Sequence, residues 1–131
     1  QRIGVLISRI TNPFFASLVD ALESTARKNG YSVLIVQNHN SPGEEKNCLD
    51  LLKKKIIDGL ILCAMESESH VIEEYEKYGP ILLCNTGGEM TTLPVVRVDD
   101  RNATYHAIRY LMAKGYRRIA YATGGNGVDR Q

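Results

Sequence analysis

Along the chain, apolar residues fall into two kinds of block. Ile3-Gly4-Val5-Leu6-Ile7, Val33-Leu34-Ile35-Val36, Leu60-Ile61-Leu62-Cys63 and Ile81-Leu82-Leu83-Cys84 are unbroken apolar runs. They lack the every-other-residue alternation of a sheet with one wet face, so they predict strands covered on both sides, as in a parallel sheet between helices. Between the runs the period changes. Phe15, Leu18, Val19, Leu22 and Ala26 recur at the i, i+3, i+4, i+7 spacing of an amphipathic helix.

Punctuation residues set the boundaries. A first strand spans 2–8, and Asn12 as N-cap with Pro13 at the first helical position opens a helix over 13–29. Gly30 stops it, and 31–37 forms the second strand. Ser41-Pro42-Gly43-Glu44 reads as a capping box, so a second helix runs to about residue 55. Asp58-Gly59 turns the chain into a strand over 60–63, a short helix covers 69–77, and Gly79-Pro80 leads into a strand over 81–84. Residues 95–98 form a further strand. Asp99 and Asp100 are cap candidates for a helix over 101–114 that ends at Lys114-Gly115, and the last strand spans 118–122. The loop-rich interval 85–94 follows a central strand. The pattern is α/β: one lobe over 1–131, a parallel sheet with helices on both faces.

Within that frame the segment Asn12-Pro13-Phe14-Phe15 sits where a strand ends and a helix begins. This is the carboxyl edge, at which open α/β sheets bind ligands. Two flat apolar rings beside an amide suit a small polar molecule with an apolar side, such as a sugar. The competing reading packs both rings under the helix as core.

Composition removes several alternatives. With 16 basic and 15 acidic residues the net charge is +1, which gives no electrostatic case for direct nucleic-acid or membrane binding by this segment. No apolar run approaches the ~20 residues that span a bilayer, and the first residues lack the regions of a signal peptide. Cys48, Cys63 and Cys84 are odd in number, widely spaced and without a CxxC. They read as reduced thiols of a cytoplasmic protein rather than a zinc site or disulfide framework. His39, His70 and His106 form no metal or nucleophile pattern, and GxSxG, HExxH and the P-loop are all missing. Gly124-Gly125-Asn126-Gly127 is not GxGxxG and has no βα unit after it. No catalytic residue, metal site or cofactor is expected; the chain does not read as an enzyme.

Several ordered motifs then resemble one family. They are Ile3-Gly4-Val5 with Asn12-Pro13-Phe14-Phe15, Gly30-Tyr31, Asp58-Gly59-Leu60-Ile61-Leu62, Val98-Asp99-Asp100, and Lys114-Gly115-Tyr116-Arg117-Arg118-Ile119-Ala120. In order and spacing they resemble the effector-binding core of the lactose/galactose-repressor family of bacterial transcription regulators, which shares its fold with periplasmic sugar-binding proteins. In the last motif Tyr116 stands where the family usually has His. The resemblance implies the N-terminal lobe of a two-lobed core, without the helix-turn-helix headpiece and most of the second lobe. A cut at Gln131 would then leave an exposed sheet edge, so such a fragment is expected to self-associate.

The resemblance also implies roles. Asn12, Phe14 and Phe15 line the effector cleft, as does the end of the third strand, Cys63, Ala64 and Met65. Asn85 occupies the place where the family usually has an Asp that accepts from sugar hydroxyls. An amide donates as well as accepts but gives no charge-assisted bond, which leaves room for an anionic effector. Arg9 stands where an acidic residue is common; its alternative is a solvated surface role. Arg130 lies near a family Arg that clamps the effector. The implied partners are a sugar or related metabolite, a second copy docking through the first helix (16–29) and second strand (31–37), DNA through the missing headpiece, and in one class of members a phosphocarrier corepressor. Membrane is not among them. Effector binding would act allosterically through lobe closure. A lobe of a periplasmic sugar-binding protein of a transport system is the alternative.

Overall fold

The computed structural model describes residues 1–86, 91–96, 109, 110, 112–115, 118 and 120. Five parallel strands form one sheet in the order β2-β1-β3-β4-β5: β1 (Arg2–Ile7), β2 (Ser32–Gln37), β3 (Gly59–Leu62), β4 (Ile81–Cys84) and β5 (Val95–Val96). The helices are α1 (Pro13–Lys28), α2 (Pro42–Lys53) and α3 (Ser69–Glu73), the last continued by a 3-10 turn over Glu74–Tyr78. From β1 the chain steps outward to β2, then crosses back to β3 and continues to β4. Because parallel crossovers are right-handed, this reversal puts α1 on one face and α2 with α3 on the other.

Alternation along the central strand feeds both faces. Val5 and Ile7 join Val19, Cys63 and the half-buried Phe15, Leu18 and Leu22 beneath α1. Leu6 points the other way, into a larger core of Cys48, Leu49, Leu52, Ile57, Leu60, Leu62, Met65, Ile72, Ile81, Leu83 and Leu93. The unbroken apolar runs are thus explained, since β1, β2 and β3 each supply both cores.

Helix boundaries follow the caps. Asn12 Oδ1 accepts from the Phe14 amide at 2.9 Å, and Gly30 takes φ 84 just past the end of α1. Ser41 caps α2, accepting from the Glu44 amide at 3.5 Å. That helix ends at Lys53, close to the expected end, and Lys55 then adopts φ 63 and turns the chain toward the fully buried Ile57. The expected helix over 69–77 is likewise split. Tightening to the 3-10 repeat stacks i and i+3 side chains, which brings the rings of Tyr75 and Tyr78 to 5.9 Å against the larger core. Gly79 must then pass between Leu52 and the Asp58 carbonyl, where a Cβ would lie 2.8 and 2.9 Å from them.

The strand expected over 95–98 is seen at Val95–Val96, and its remaining two positions lie outside the described residues. The same holds for most of the helix expected over 101–114, of which 109, 110, 112 and 113 are helical, and for most of the strand expected over 118–122. Gly124–Gly127 and Arg130 also fall outside.

Candidate functional site

The strand order locates the site. After β1 the chain leaves toward β2, and after β3 it leaves toward β4, in the opposite direction. β1 and β3 are direct neighbours, with Leu6 in register with Leu62. Their carboxyl ends therefore form a topological switch point, the crevice at which open parallel sheets take ligands. The segment at the end of β1 is Ser8–Asn12 and that at the end of β3 begins at Cys63, whose amide donates to the Leu6 carbonyl at 2.8 Å. Two of the sequence-derived segments, far apart in the chain, meet here.

The two phenylalanines divide the roles proposed for them. Phe15 packs half-buried against the core beneath α1, while Phe14 keeps 48% of its surface exposed, edge-on to Phe15 at 5.5 Å between centroids. One ring anchors the first turn of the helix and the other presents a free face beside it. Asn12 is exposed; its Oδ1 is committed to the cap, and its Nδ2 makes no hydrogen bond among the described residues. Arg9 is exposed and its carbonyl accepts from the Asn12 amide at 3.1 Å, which closes the turn that carries Asn12.

On the other side of the crevice Cys63, Ala64 and Met65 are buried, with Met65 seated in the larger core. Asn85 is half-buried in the left-handed region at φ 58, and its amide donates to the Val96 carbonyl at 2.6 Å. Asn tolerates that conformation better than most residues, so Asn85 serves as a turn former at the end of β4. Arg130 is outside the described residues.

Side chains that sequence reasoning passed over hold these loops. Glu45, fully buried on the first turn of α2, accepts from the amides of Glu66 and Ser67 at 2.6 and 3.1 Å. Two backbone donors satisfy a carboxylate that would otherwise be costly to bury, and the loop after β3 is pinned to α2. Gln37 Oε1 accepts from the Ile10 amide at 2.9 Å, and the Ser8 hydroxyl donates to Asn40 Oδ1 at 2.7 Å. The exit of β2 therefore braces the loop after β1. Asn38 Oδ1 accepts from the Asn40 amide at 2.8 Å, while its buried Nδ2 has no partner among the described residues. The polar cluster Asn38-His39-Asn40, with left-handed backbone at His39 and Asn40, was the available signal for this brace.

Two buried thiols are held protonated. Burial, and then the nearby Glu45 charge, pushes the Cys48 thiol up to about 12. Cys63 is also pushed up to about 12, by burial first and then by the charge of Cys84 and a hydrogen bond with it. No group of three or more His, Cys, Asp or Glu side chains placed to hold a metal ion occurs among the described residues. No described helix is long and apolar enough to cross a membrane. An apolar cavity of about 440 Å³, lined by residues such as Ile3, Tyr31, Leu60 and Pro94, opens at the amino edge of the sheet, away from the crevice. At the carboxyl edge Arg9, Asn12 and Phe14 are all exposed, bringing a guanidinium, an amide and an aromatic ring to the surface after β1.

The family model for periplasmic binding proteins and the sugar binding domain of the LacI family matches residues 1–126. The NTD biosynthesis operon regulator NtdR of Bacillus subtilis is 32% identical over 92% of this chain and 37% of its own length. The HTH-type transcriptional repressor CytR of Escherichia coli is 32% identical over 95% of this chain and 37% of its own. A LacI family transcriptional regulator from Lactobacillus casei, solved with bound sucrose, superposes with a TM-score of 0.83 at 34% identity, over 96% of this chain and 48% of that one. With bound glucose the TM-score is 0.80 at 35% identity, over 89% and 44%. The chain thus spans well under half the length of these curated relatives. It belongs to the family of periplasmic binding proteins and LacI-family sugar-binding domains.

Proposed function

We propose that this chain is the N-terminal lobe of the effector-sensing core of a bacterial transcription regulator, with a sugar or related metabolite held against its carboxyl edge. The observation that carries the reading is the switch point between the carboxyl ends of β1 and β3, at which the chain leaves β1 for Asn12 and Phe14. Phe14 supplies the face for a sugar ring, Asn12 an amide donor, and Phe15 the anchor beneath them. Met65 and Asn85 shape the opposite wall, with Cys63 behind it. Arg9 and Arg130 are further candidates, and a cation at either would favour an effector bearing negative charge.

The chemistry is binding without turnover. Closure against a second lobe would transmit effector occupancy, and only differential affinity for the open and closed states shifts that equilibrium. DNA is contacted through a separate headpiece, in the cytoplasm. The regulators with bound sugars favour this reading over a transport receptor. A second copy docks through the outer side of α1 and the edge strand β2, a surface supported by Ile35, which is 43% exposed. The phosphocarrier corepressor remains a partner to test on the same lobe.

Calorimetric titration of the full-length regulator with a panel of mono- and disaccharides and sugar phosphates tests the reading. One of them should bind, and Phe14→Ala should weaken it by about tenfold or more, as expected for the loss of an aromatic contact of ~1.5 kcal/mol. Unchanged affinity in Phe14→Ala would place the effector elsewhere.

A further inference from the structure

Two cysteines end adjacent strands side by side. β3 and β4 pair in parallel with Leu62 opposite Leu83, and Cys63 and Cys84 are the next residue on each. Both face α1 and pack in the same apolar cluster, with Phe15 and Ile61 as neighbours. Adjacent strands lie about 4.8 Å apart, inside the roughly 4.4–6.8 Å between Cα atoms that a disulfide spans. The two side chains share that cluster, and the charge of Cys84 helps to hold the Cys63 proton in place. We propose that Cys63 and Cys84 are a redox-active dithiol at the carboxyl edge of the sheet, closing to a disulfide by exchange with a low-molecular-weight disulfide such as oxidised glutathione.

The exchange begins at Cys84, because Cys63 is only 5% exposed while Cys84 is partly open. The Cys84 thiolate attacks one sulfur of the oxidant. Its new S–S bond forms as the oxidant's bond breaks, and the departing thiolate takes up a proton equivalent to the one Cys84 lost. Cys63 then gives up its proton and attacks the Cys84 sulfur, forming the protein disulfide and expelling the second small thiol. Two protein thiols are oxidised by two electrons, and one disulfide is reduced to two thiols.

The first step prepares the second. The charge of Cys84 and its hydrogen bond are two of the three causes that hold the Cys63 proton in place, and both vanish once Cys84 is a mixed disulfide. Burial alone then opposes attack, and the Cys84 sulfur to be attacked is carried at the same level on the neighbouring strand. The product ties the end of β3 to the end of β4, directly below Ala64 and Asn85. This chemistry does not depend on which effector binds.

Cys48 is the internal control, since it belongs to the core on the opposite face of the sheet. The full-length protein is equilibrated in glutathione buffers of graded potential, trapped with an alkylating reagent, and mapped by non-reducing peptide mass spectrometry. A linked Cys63–Cys84 peptide should rise about tenfold relative to the free pair for each ~30 mV, the slope of a two-electron couple, with Cys48 free throughout. Cys84→Ser should leave Cys63 as an unmodified thiol. The proposal is overturned if both thiols stay free across the series, if reaction stops at glutathione on Cys84, or if Cys48 joins the linkage. Equal glutathione uptake by Cys63 in Cys84→Ser overturns the order of attack.

Discussion

Asn12 carries two duties on one side chain, and they can be separated. Its Oδ1 caps α1 through the Phe14 amide, whereas its Nδ2 is the donor that the proposed function assigns to the effector. Asn12→Ala removes both atoms and should cost about 1 kcal/mol of stability, the usual worth of an N-cap. Asn12→Asp keeps the cap acceptor and adds a negative charge at the helix N-terminus, which is favourable there. The Asp variant should therefore unfold at or above the wild-type temperature yet bind effector more weakly, because it has no donor to offer. Thermal unfolding and calorimetry on the two variants check this. Equal affinity in Asn12→Asp and wild type would confine the residue to capping.

At the scale of elements, the loop after β3 depends on a helix from another crossover. Glu45→Ala strands the Glu66 and Ser67 amides in a part-buried loop, and an unsatisfied buried polar group costs about 1–3 kcal/mol. Stability should drop by about that much, and hydrogen exchange at those two amides should speed up while the strand amides of β1 keep their protection. Little of this was legible beforehand. Solid apolar runs predict buried strands, and the Asn12-Pro13 and Ser41-Pro42 pairs mark helix starts, because those signals are local in the chain. The Phe15, Leu18, Val19, Leu22 stripe reads the same way and is indeed the face of α1 that packs on the sheet. Glu45 beside Glu44 and Lys46 looks like part of a solvated helix face. Only the placement of β3 next to β1 brings its carboxylate under two amides 21 and 22 residues away. The division of labour between Phe14 and Phe15 was hidden for a similar reason: adjacent residues on a helix point about 100° apart, and the sheet decides which of them it covers. The split of 69–77 into α3 and a 3-10 turn likewise follows from packing two tyrosines on the core.

The molecule as a whole is a sheet between two cores, and each core holds a buried thiol kept protonated by that burial. Cys48 lies on the α2 face and Cys63 on the α1 face, both pushed up to about 12 from an ordinary thiol value of about 9. The sign of the consequence is fixed by which state holds the proton. Below pH ~9 both states keep their thiols protonated, so the stabilisation from burying them neutral is fully present. Between about 9 and 12 the unfolded chain releases those protons and the folded chain does not. Stability therefore falls as pH rises, by up to about 1.4 kcal/mol per pH unit for each thiol. Tyr75, shifted upward by burial and by Asp50, adds a loss of the same sign at the top of that window. Urea unfolding under reductant at steps from pH 8 to 11 should show midpoints drifting down above pH 9. Cys48→Ala should reduce the drift by about one thiol's share, and Cys48→Ala with Cys63→Ala should leave the contribution of the tyrosine. Parallel pH profiles in wild type and both variants would mean that neither thiol is held neutral by the fold. That result would also weaken the account of the Cys63–Cys84 pair, in which burial is what delays attack by Cys63 until Cys84 has reacted.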